Sequence, residues 1–474
     1  MPSGIAFAEY VRYDATGLAA LVQAGEIEAI DLVDAAIARA ESVNPKINAI
    51  VERLYEQARA SALLPSTGPF AGVPWAVKDL YHAIGGVRLT NGSALYRGHI
   101  AEADSELVAR FRKAGLIAVC TSTTPEFGLA ATTESKLHGL TRNPWDLSRS
   151  SGGSSGGAAA LVAAGVMPAA HATDGGGSIR TPASCCGLVG LKVSRGRTPV
   201  GVGRTESWNG LGVSHALTRS VRDSAALLDA THGPAFGARS VAPPSGASFI
   251  EATRRAPRRL RIALQFVAPS GALPSAECVE AVRKAAQLCE SLGHQVEEAR
   301  PAIDNLGGYL VNVLSVHTAA VVAERSTALG RPIGDGELEN VTAALAAHGR
   351  KVSGLDMVAA DAAFMRAAID MARFQALYDV ILTPTLAALP AALQTISLDR
   401  PLPEFEREVF SYSPYSALYN ITGQPAISLP LHWSAEGLPV GVQFAARIGE
   451  EDVLLALAAQ LEEAEPWFHR RPTL

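Results

Sequence analysis

Cysteine and charge are both sparse in this chain of 474 residues. Its five cysteines are an odd number, and none falls in a C-x-x-C pattern that would hold zinc. Neighbouring Cys185 and Cys186 could pair only through a strained bridge, so both read as reduced core thiols. Charged side chains make up 18% and the formal net charge is −5, which argues against a nucleic-acid partner bound through a broad basic face. The one basic run, Arg254, Arg255, Arg258, Arg259 and Arg261, reads as a solvated lead into a strand over 260–264. Long hydrophobic stretches are missing as well. The most apolar one, 158–170, holds Gly165 and Pro168 and is too short to span a bilayer. The opening residues Met1-Pro2-Ser3-Gly4-Ile5 show no basic region followed by an apolar one, so no signal peptide is expected. No repeat of roughly 20–50 residues appears, which disfavours a solenoid. The expectation is a soluble cytoplasmic protein with no nucleic-acid or membrane partner.

What the chain has in abundance is small and apolar. Hydrophobic residues reach 48% and glycines number 43, a composition suited to helices packed closely on a sheet. Leu32, Val33, Ala36, Ile37 and Ala40 fall on one helical face, with Asn44-Pro45 as the expected end. Ser105 is the expected cap of a helix running to Ala114, with Gly115 as its left-handed stop and a buried strand over 116–119 behind it. The same order recurs where a helix over 281–292 precedes Gln295-Val296, and where Tyr378-Asp379 leads into Val380-Ile381-Leu382. A final amphipathic helix is marked by Val453, Leu454, Leu457 and Leu461. This alternation predicts an α/β fold, a mixed and largely parallel central sheet with helices on both faces. The proline- and glycine-containing stretch 233–248 is the expected hinge. It divides a single domain, 1–474, into a helical lead (1–65), a catalytic core (66–232) and a more variable segment (249–474) that completes the sheet and lines a substrate pocket.

Three local features carry the chemistry. Gly72-Val73-Pro74-Trp75-Ala76-Val77-Lys78-Asp79 places a lysine at the end of an apolar strand. Burial there disfavours the ammonium form, so a neutral amine becomes available as a base. Ser151-Gly152-Gly153-Ser154-Ser155-Gly156-Gly157 has the composition of a flexible linker, yet it lies between apolar segments. A turn that converges serine hydroxyls and backbone N–H groups is the better reading. Thr173-Asp174-Gly175-Gly176-Gly177-Ser178-Ile179-Arg180 repeats the theme, and consecutive glycines can aim successive N–H groups at one point, as an oxyanion hole requires.

Competing readings fail on spacing. Neither G-x-x-x-x-G-K-[ST] nor a post-strand G-x-G-x-x-G occurs. H-E-x-x-H is missing too, which disfavours a metal hydrolase. Gly152 to Gly156 does satisfy G-x-S-x-G, but that pattern arises by chance in any Gly/Ser loop. With eleven histidines present, a serine–histidine esterase using Ser154 stays open on count alone.

Together, in this order and spacing, the three segments resemble the amidase signature. The resemblance extends to Asn143-Pro144-Trp145-Asp146 and to Gly187-Leu188-Val189-Gly190-Leu191-Lys192. Further on it takes in Thr383-Pro384-Thr385, Asn420-Ile421-Thr422-Gly423-Gln424-Pro425-Ala426 and Gly437-Leu438-Pro439-Val440-Gly441-Val442-Gln443. It is weakest over about 233–374. What the resemblance implies is a serine amidase with a Ser–cis-Ser–Lys triad. Ser178 would be the nucleophile, Ser154 the bridging serine after a cis peptide bond, and Lys78 the base. Gly175, Gly176 and Gly177 would supply oxyanion-hole N–H groups together with that of Ser178. No metal or cofactor is implied, the partner is a small-molecule amide substrate, and a homodimer is the family-level expectation. Two rivals keep the fold: the glutaminase subunit of a tRNA-dependent amidotransferase, and an inactive binding scaffold.

Two positions depart from the commonest family pattern. Gly175 stands where threonine is frequent, as in the branch containing aryl acylamidases and 6-aminohexanoate cyclic dimer hydrolase, and Val193 stands where proline is frequent. Asp174 and Arg180 are expected to pair or to fix the glycine loop. His171 and Cys185 are expected in structural roles, and Asp79 either orients the lysine or caps a turn. Substrate-lining loops are expected within about 302–413, and Phe410, Tyr412 and Tyr415 are candidate pocket aromatics, with a core role the equal alternative.

Overall fold

The computed structural model describes residues 5–474, so the opening Met1 to Gly4 lie outside the described residues. Eleven strands form one sheet. In chain order they are β1 (Ile50–Arg53), β2 (Pro74–Lys78), β3 (Ile117–Ser122), β4 (Ala169–Asp174), β5 (Val189–Lys192) and β6 (Val213–Thr218), then β7 (Arg261–Leu264), β8 (Gln295–Glu298), β9 (Val380–Pro384), β10 (Ala426–Trp433) and β11 (Pro439–Ala446). Their spatial order is β1-β3-β2-β4-β6-β5-β10-β11-β9-β7-β8.

The sheet is mixed, as expected, but it is not largely parallel. Parallel pairing is confined to β3-β2-β4 and to β9-β7-β8. The block between them, from β4 through β6, β5, β10 and β11 to β9, is antiparallel. Within that block, a tight turn closed by Ser434 and Leu438 joins β10 directly to β11 without a crossover helix, which makes that pair antiparallel.

Both faces of the sheet are covered, so its strands read as near-continuous apolar runs. Along β2, Ala76 faces α1 (Ala29–Ile47), while Trp75 and Val77 pack on the opposite side with Leu107 and Phe111 of α2 (Glu106–Lys113). The Ala76 side also carries α3 (Gly156–Ala163) and α4 (Arg180–Cys186). Along β9, Val380 and Leu382 pack on α5 (Ala276–Ser291), and Ile381 turns to the other face. Further along the chain come α6 (Gly307–Leu329), α7 (Asn340–Gly349), α8 (Gly354–Gln375), α9 (Leu402–Tyr412), α10 (Ala417–Thr422) and α11 (Glu451–Ala464). Among the described residues no helix is long and apolar enough to cross a membrane.

Two helix ends differ from expectation. Helix α1 continues through Pro45 to Ile47 and closes on left-handed Asn48. Buried Val43 and Ile47 hold that last turn, and the Asn44 side chain accepts the N–H groups of Ala49 and Ile50 beyond it. Ser105 does occupy the N-cap of α2, yet its hydroxyl makes no capping bond and lies 3.4 Å from His82 Nδ1. Gly115, at φ 96°, is left-handed as expected. All five cysteines are buried and free.

Helices α6 and α7 approach so closely that a Cβ on Gly349 would lie 2.0 Å from the Ser315 carbonyl oxygen. Gly349→Ala is therefore expected to force the two helices apart, at a cost of about 1–3 kcal/mol. A gain in helix propensity of under about 1 kcal/mol does not offset this. A urea unfolding midpoint equal to or above that of the parent would refute the clash.

Candidate active site

Strand β2 runs between β3 and β4 and delivers Lys78 into the interior with no exposed surface. Its Nζ lies 2.7 Å from Ser154 Oγ, 2.9 Å from Ser155 Oγ and 2.8 Å from Thr173 Oγ1. Burial pushes its pKa well below the usual lysine range, and the nearby Asp174 carboxylate only partly opposes that. A neutral amine has two N–H donors and one lone pair. The Ser155 hydroxyl donates to the Thr173 carbonyl at 3.2 Å, so it accepts from the amine. The lone pair then faces a hydroxyl of Ser154 or Thr173. Rotating that one hydroxyl lets the same shell accept three N–H bonds from an ammonium. Both protonation states therefore fit without backbone movement.

Ser154 is held by a loop with no room for side chains. The Gly153–Ser154 peptide bond is cis. A Cβ on Gly153 would come within 2.4 Å of the Thr132 carbonyl oxygen. Thr133 Oγ1 ties the loop at both ends, donating to the Gly152 carbonyl at 2.9 Å and accepting from Gly156 N–H at 3.0 Å. The Ser/Gly stretch is thus a packed turn leading into α3, and a flexible linker is excluded.

The Gly175–Ser178 arch is organised by an ion pair with no solvent exposure. Arg180 Nη2 lies 2.8 Å from Asp174 Oδ1, and Arg180 Nε donates to Asp174 Oδ2 at 3.0 Å. Asp174 also accepts the N–H groups of Gly177 at 2.8 Å and Ile179 at 3.1 Å, so the chain from 174 to 180 folds around its carboxylate. Burial alone would raise the Asp174 pKa, but the Arg180 charge and hydrogen bonds hold it well below the usual carboxylate range. The guanidinium reaches further, to the Ser416 carbonyl, Gln443 Oε1 and Asn420 Oδ1 at 2.7–2.9 Å. The distant Asn420 and Gln443 segments thereby meet the Gly175–Ser178 arch. With the Gly177 N–H committed to Asp174, those of Gly175, Gly176 and Ser178 have no acceptor among the described residues.

Ser178 lies in a wall shared by two chambers. The smaller is lined by Tyr81, His82, Ser154, Arg204 and Trp208, and the other by apolar residues of α6, α7 and α9 with Gly176 and Gly177. The remaining sequence candidates fall as follows. Asp79 makes no bond to the lysine amine; it accepts the N–H and hydroxyl of Thr90, and burial raises its pKa to about 7. His171 accepts the Lys78 backbone N–H, and burial keeps it neutral. Cys185 is a core thiol beside the Tyr412 hydroxyl. Phe410 lines the apolar chamber, but Tyr412 and Tyr415 do not: the first packs on Cys185 and the second donates to the Phe266 carbonyl. No histidine bonds Ser154 among the described residues, which removes the basis for a serine–histidine pair.

Sequence reading missed Ser155, Thr173 and Trp208. The first two adjoin nominated residues, and only their shared distance to the amine reveals them. Trp208 precedes Asn209-Gly210, a turn signal that went unused. Its ring covers Gly175: a Cβ there would lie 2.5 Å from the indole. The Gly175 departure thus has a structural counterpart, because Trp208 fills the volume a larger residue would need. Gly175→Ala should reduce activity by displacing the indole or the arch, and the same change in a Trp208→Ala background should cost far less. Equal losses in both backgrounds, measured as kcat/KM in a double-mutant cycle, would show that the two positions are uncoupled.

Comparison with known proteins places this geometry. The Amidase family model matches residues 31–455. The 6-aminohexanoate-cyclic-dimer hydrolase of Pseudomonas sp. (strain NK87) is 38% identical over 476 aligned residues, covering 97% of this chain and 96% of that protein. A solved structure of 6-aminohexanoate cyclic dimer hydrolase superposes with a TM-score of 0.94 at 36% identity, covering 98% of this chain and 99% of the other. A bacterial aryl acylamidase of the amidase signature family gives 0.87 at 26% identity, covering 96% of each chain. With the family model spanning most of the chain and a relative this similar over nearly its full length, the protein belongs to the amidase family of hydrolases acting on carbon–nitrogen bonds.

Proposed function

We propose that this enzyme cleaves a small-molecule carboxamide through an acyl-enzyme on Ser178, with Ser154 and Lys78 as its proton relay. The observation that carries the reading is the 2.7 Å contact between Ser154 Oγ and the amine of fully buried Lys78, whose pKa burial pushes well below the usual lysine range. Ser178 and Ser154 line the same chamber. The amine lone pair takes the Ser154 hydroxyl proton while Ser154 takes that of Ser178, leaving an alkoxide to attack the acyl carbon. The N–H groups of Gly175, Gly176 and Ser178 stabilise the resulting oxyanion. Gly177 contributes the bend, at φ 134°, and its N–H anchors the arch to Asp174. The ammonium of Lys78 then returns a proton through Ser154 to the departing amine, and water repeats the cycle on the ester.

Ser154 lines the smaller chamber and not the apolar one, so the protonated amine leaves on that side and the acyl group occupies the apolar side. The cyclic dimer of 6-aminohexanoate, named for two relatives, is the first compound to test. A cytoplasmic setting suits five buried, unbridged cysteines.

Ser178→Ala is expected to lower amide turnover by roughly 10⁴-fold or more, read as amine release. Near-parental rates in that variant would remove the assignment. Lys78→Ala should impair anilide cleavage more than cleavage of an activated nitrophenyl ester, since a good leaving group departs without a proton. Equal losses on the two substrates would count against the relay.

A further inference from the structure

The apolar chamber beside Ser178 contains one charge that nothing in the protein answers. Helix α9 presents Leu402, Phe405, Glu406, Val409 and Phe410 to it. These positions form the one-sided stripe that a surface helix normally keeps apolar. Glu406 stands in the middle of that stripe. Among the described residues its carboxylate has neither an ion-pair nor a hydrogen-bond partner, unlike Glu404 and Glu408 on the same helix, which pair with Arg400. Glu406 also lines the adjoining outer cavity of about 540 Å³, where Asp304 adds a second carboxylate. No Lys or Arg lines either chamber among the described residues, and the one imidazole, His348, is engaged by Asn312 Oδ1 at 2.9 Å. Partial burial raises the Glu406 pKa, with His348 opposing.

Glu406 is only partly buried, so water solvates it while the chamber is open; a chain filling the chamber would strip that water and leave a carboxylate that a cationic group satisfies. We infer that Glu406 is a specificity-determining residue that receives the cationic end of an acyl chain, so that the preferred substrates are amides of ω-amino acids. The inference rests on the amidase reading and on the acyl group occupying the apolar chamber. The chain's methylenes would lie along Leu310, Leu314, Phe405 and Val409, and the ammonium at Glu406.

The test compares kcat/KM for anilides of ω-aminoacyl chains with methyl-terminated isosteres over a ladder of chain lengths. The parent should prefer the ammonium member at its best length by roughly tenfold or more, as expected for a charge-assisted contact. In Glu406→Gln that ratio should fall to about one. Glu404→Gln, which removes the same charge from the same helix outside the chamber, should retain the preference. A parent that prefers the methyl isostere at every length, or a ratio that survives in Glu406→Gln, overturns the inference. If Glu406→Gln lowers turnover of both series equally, Glu406 only shapes the chamber, and the inference again fails. The amidase reading is judged separately, by whether the parent cleaves the methyl series and Ser178→Ala does not.

Discussion

The buried pair of Asp174 and Arg180 is the interaction on which the site depends. Neither side chain reaches solvent, so each is tolerable only because of the other and the hydrogen bonds around it. The carboxylate gathers the backbone of its own loop and leaves the N–H groups of Gly175, Gly176 and Ser178 unclaimed. The guanidinium binds that loop to α10 and β11. One ion pair therefore shapes the arch and anchors it to segments far along the chain.

One member of that pair, Asp174, also acts on the amine. Asp174 favours the ammonium form of Lys78, and burial opposes it. Desolvation prevails and pushes the Lys78 pKa well below the usual lysine range. The surroundings follow the same logic. Burial pushes His82 down to about 3, and His171 is pushed well down in the same way. The three atoms nearest the amine are hydroxyl oxygens, which can donate or accept without acquiring charge. A proton can enter and leave this shell with little reorganisation.

Much of the fold was legible because apolar periodicity reports burial directly. The fully buried β2, the helix–strand alternation and left-handed Gly115 were all readable in this way. Errors arose where one local signal was asked to decide a non-local matter. Pro45 looked like a helix end, but packing of Val43 and Ile47 carries α1 past it. Ser105 looked like a cap, but its hydroxyl turns to His82. Helix–strand repeats suggested a largely parallel sheet, whereas the strands between β4 and β9 pair antiparallel. For Tyr412 and Tyr415, where residue type left pocket and core equally open, the core partners decide.

By itself the sequence determined which groups the chemistry could use: a lysine ending an apolar strand, serines among glycines, and the order of motifs that marks the family. Those follow from residue type and spacing, which act over a few positions. Tertiary structure alone decided how the groups are used. Hydrogen-bond direction gives the Gly177 N–H to Asp174 and Ser155 to the amine. Excluded volume sets Trp208 over Gly175. Packing turns Glu406 into a chamber where the other positions of its stripe are apolar. Apart from the Gly177–Asp174 bond within one loop, each of these is a pairing between segments remote in sequence, and distance in space, which no periodicity encodes, selects the partner.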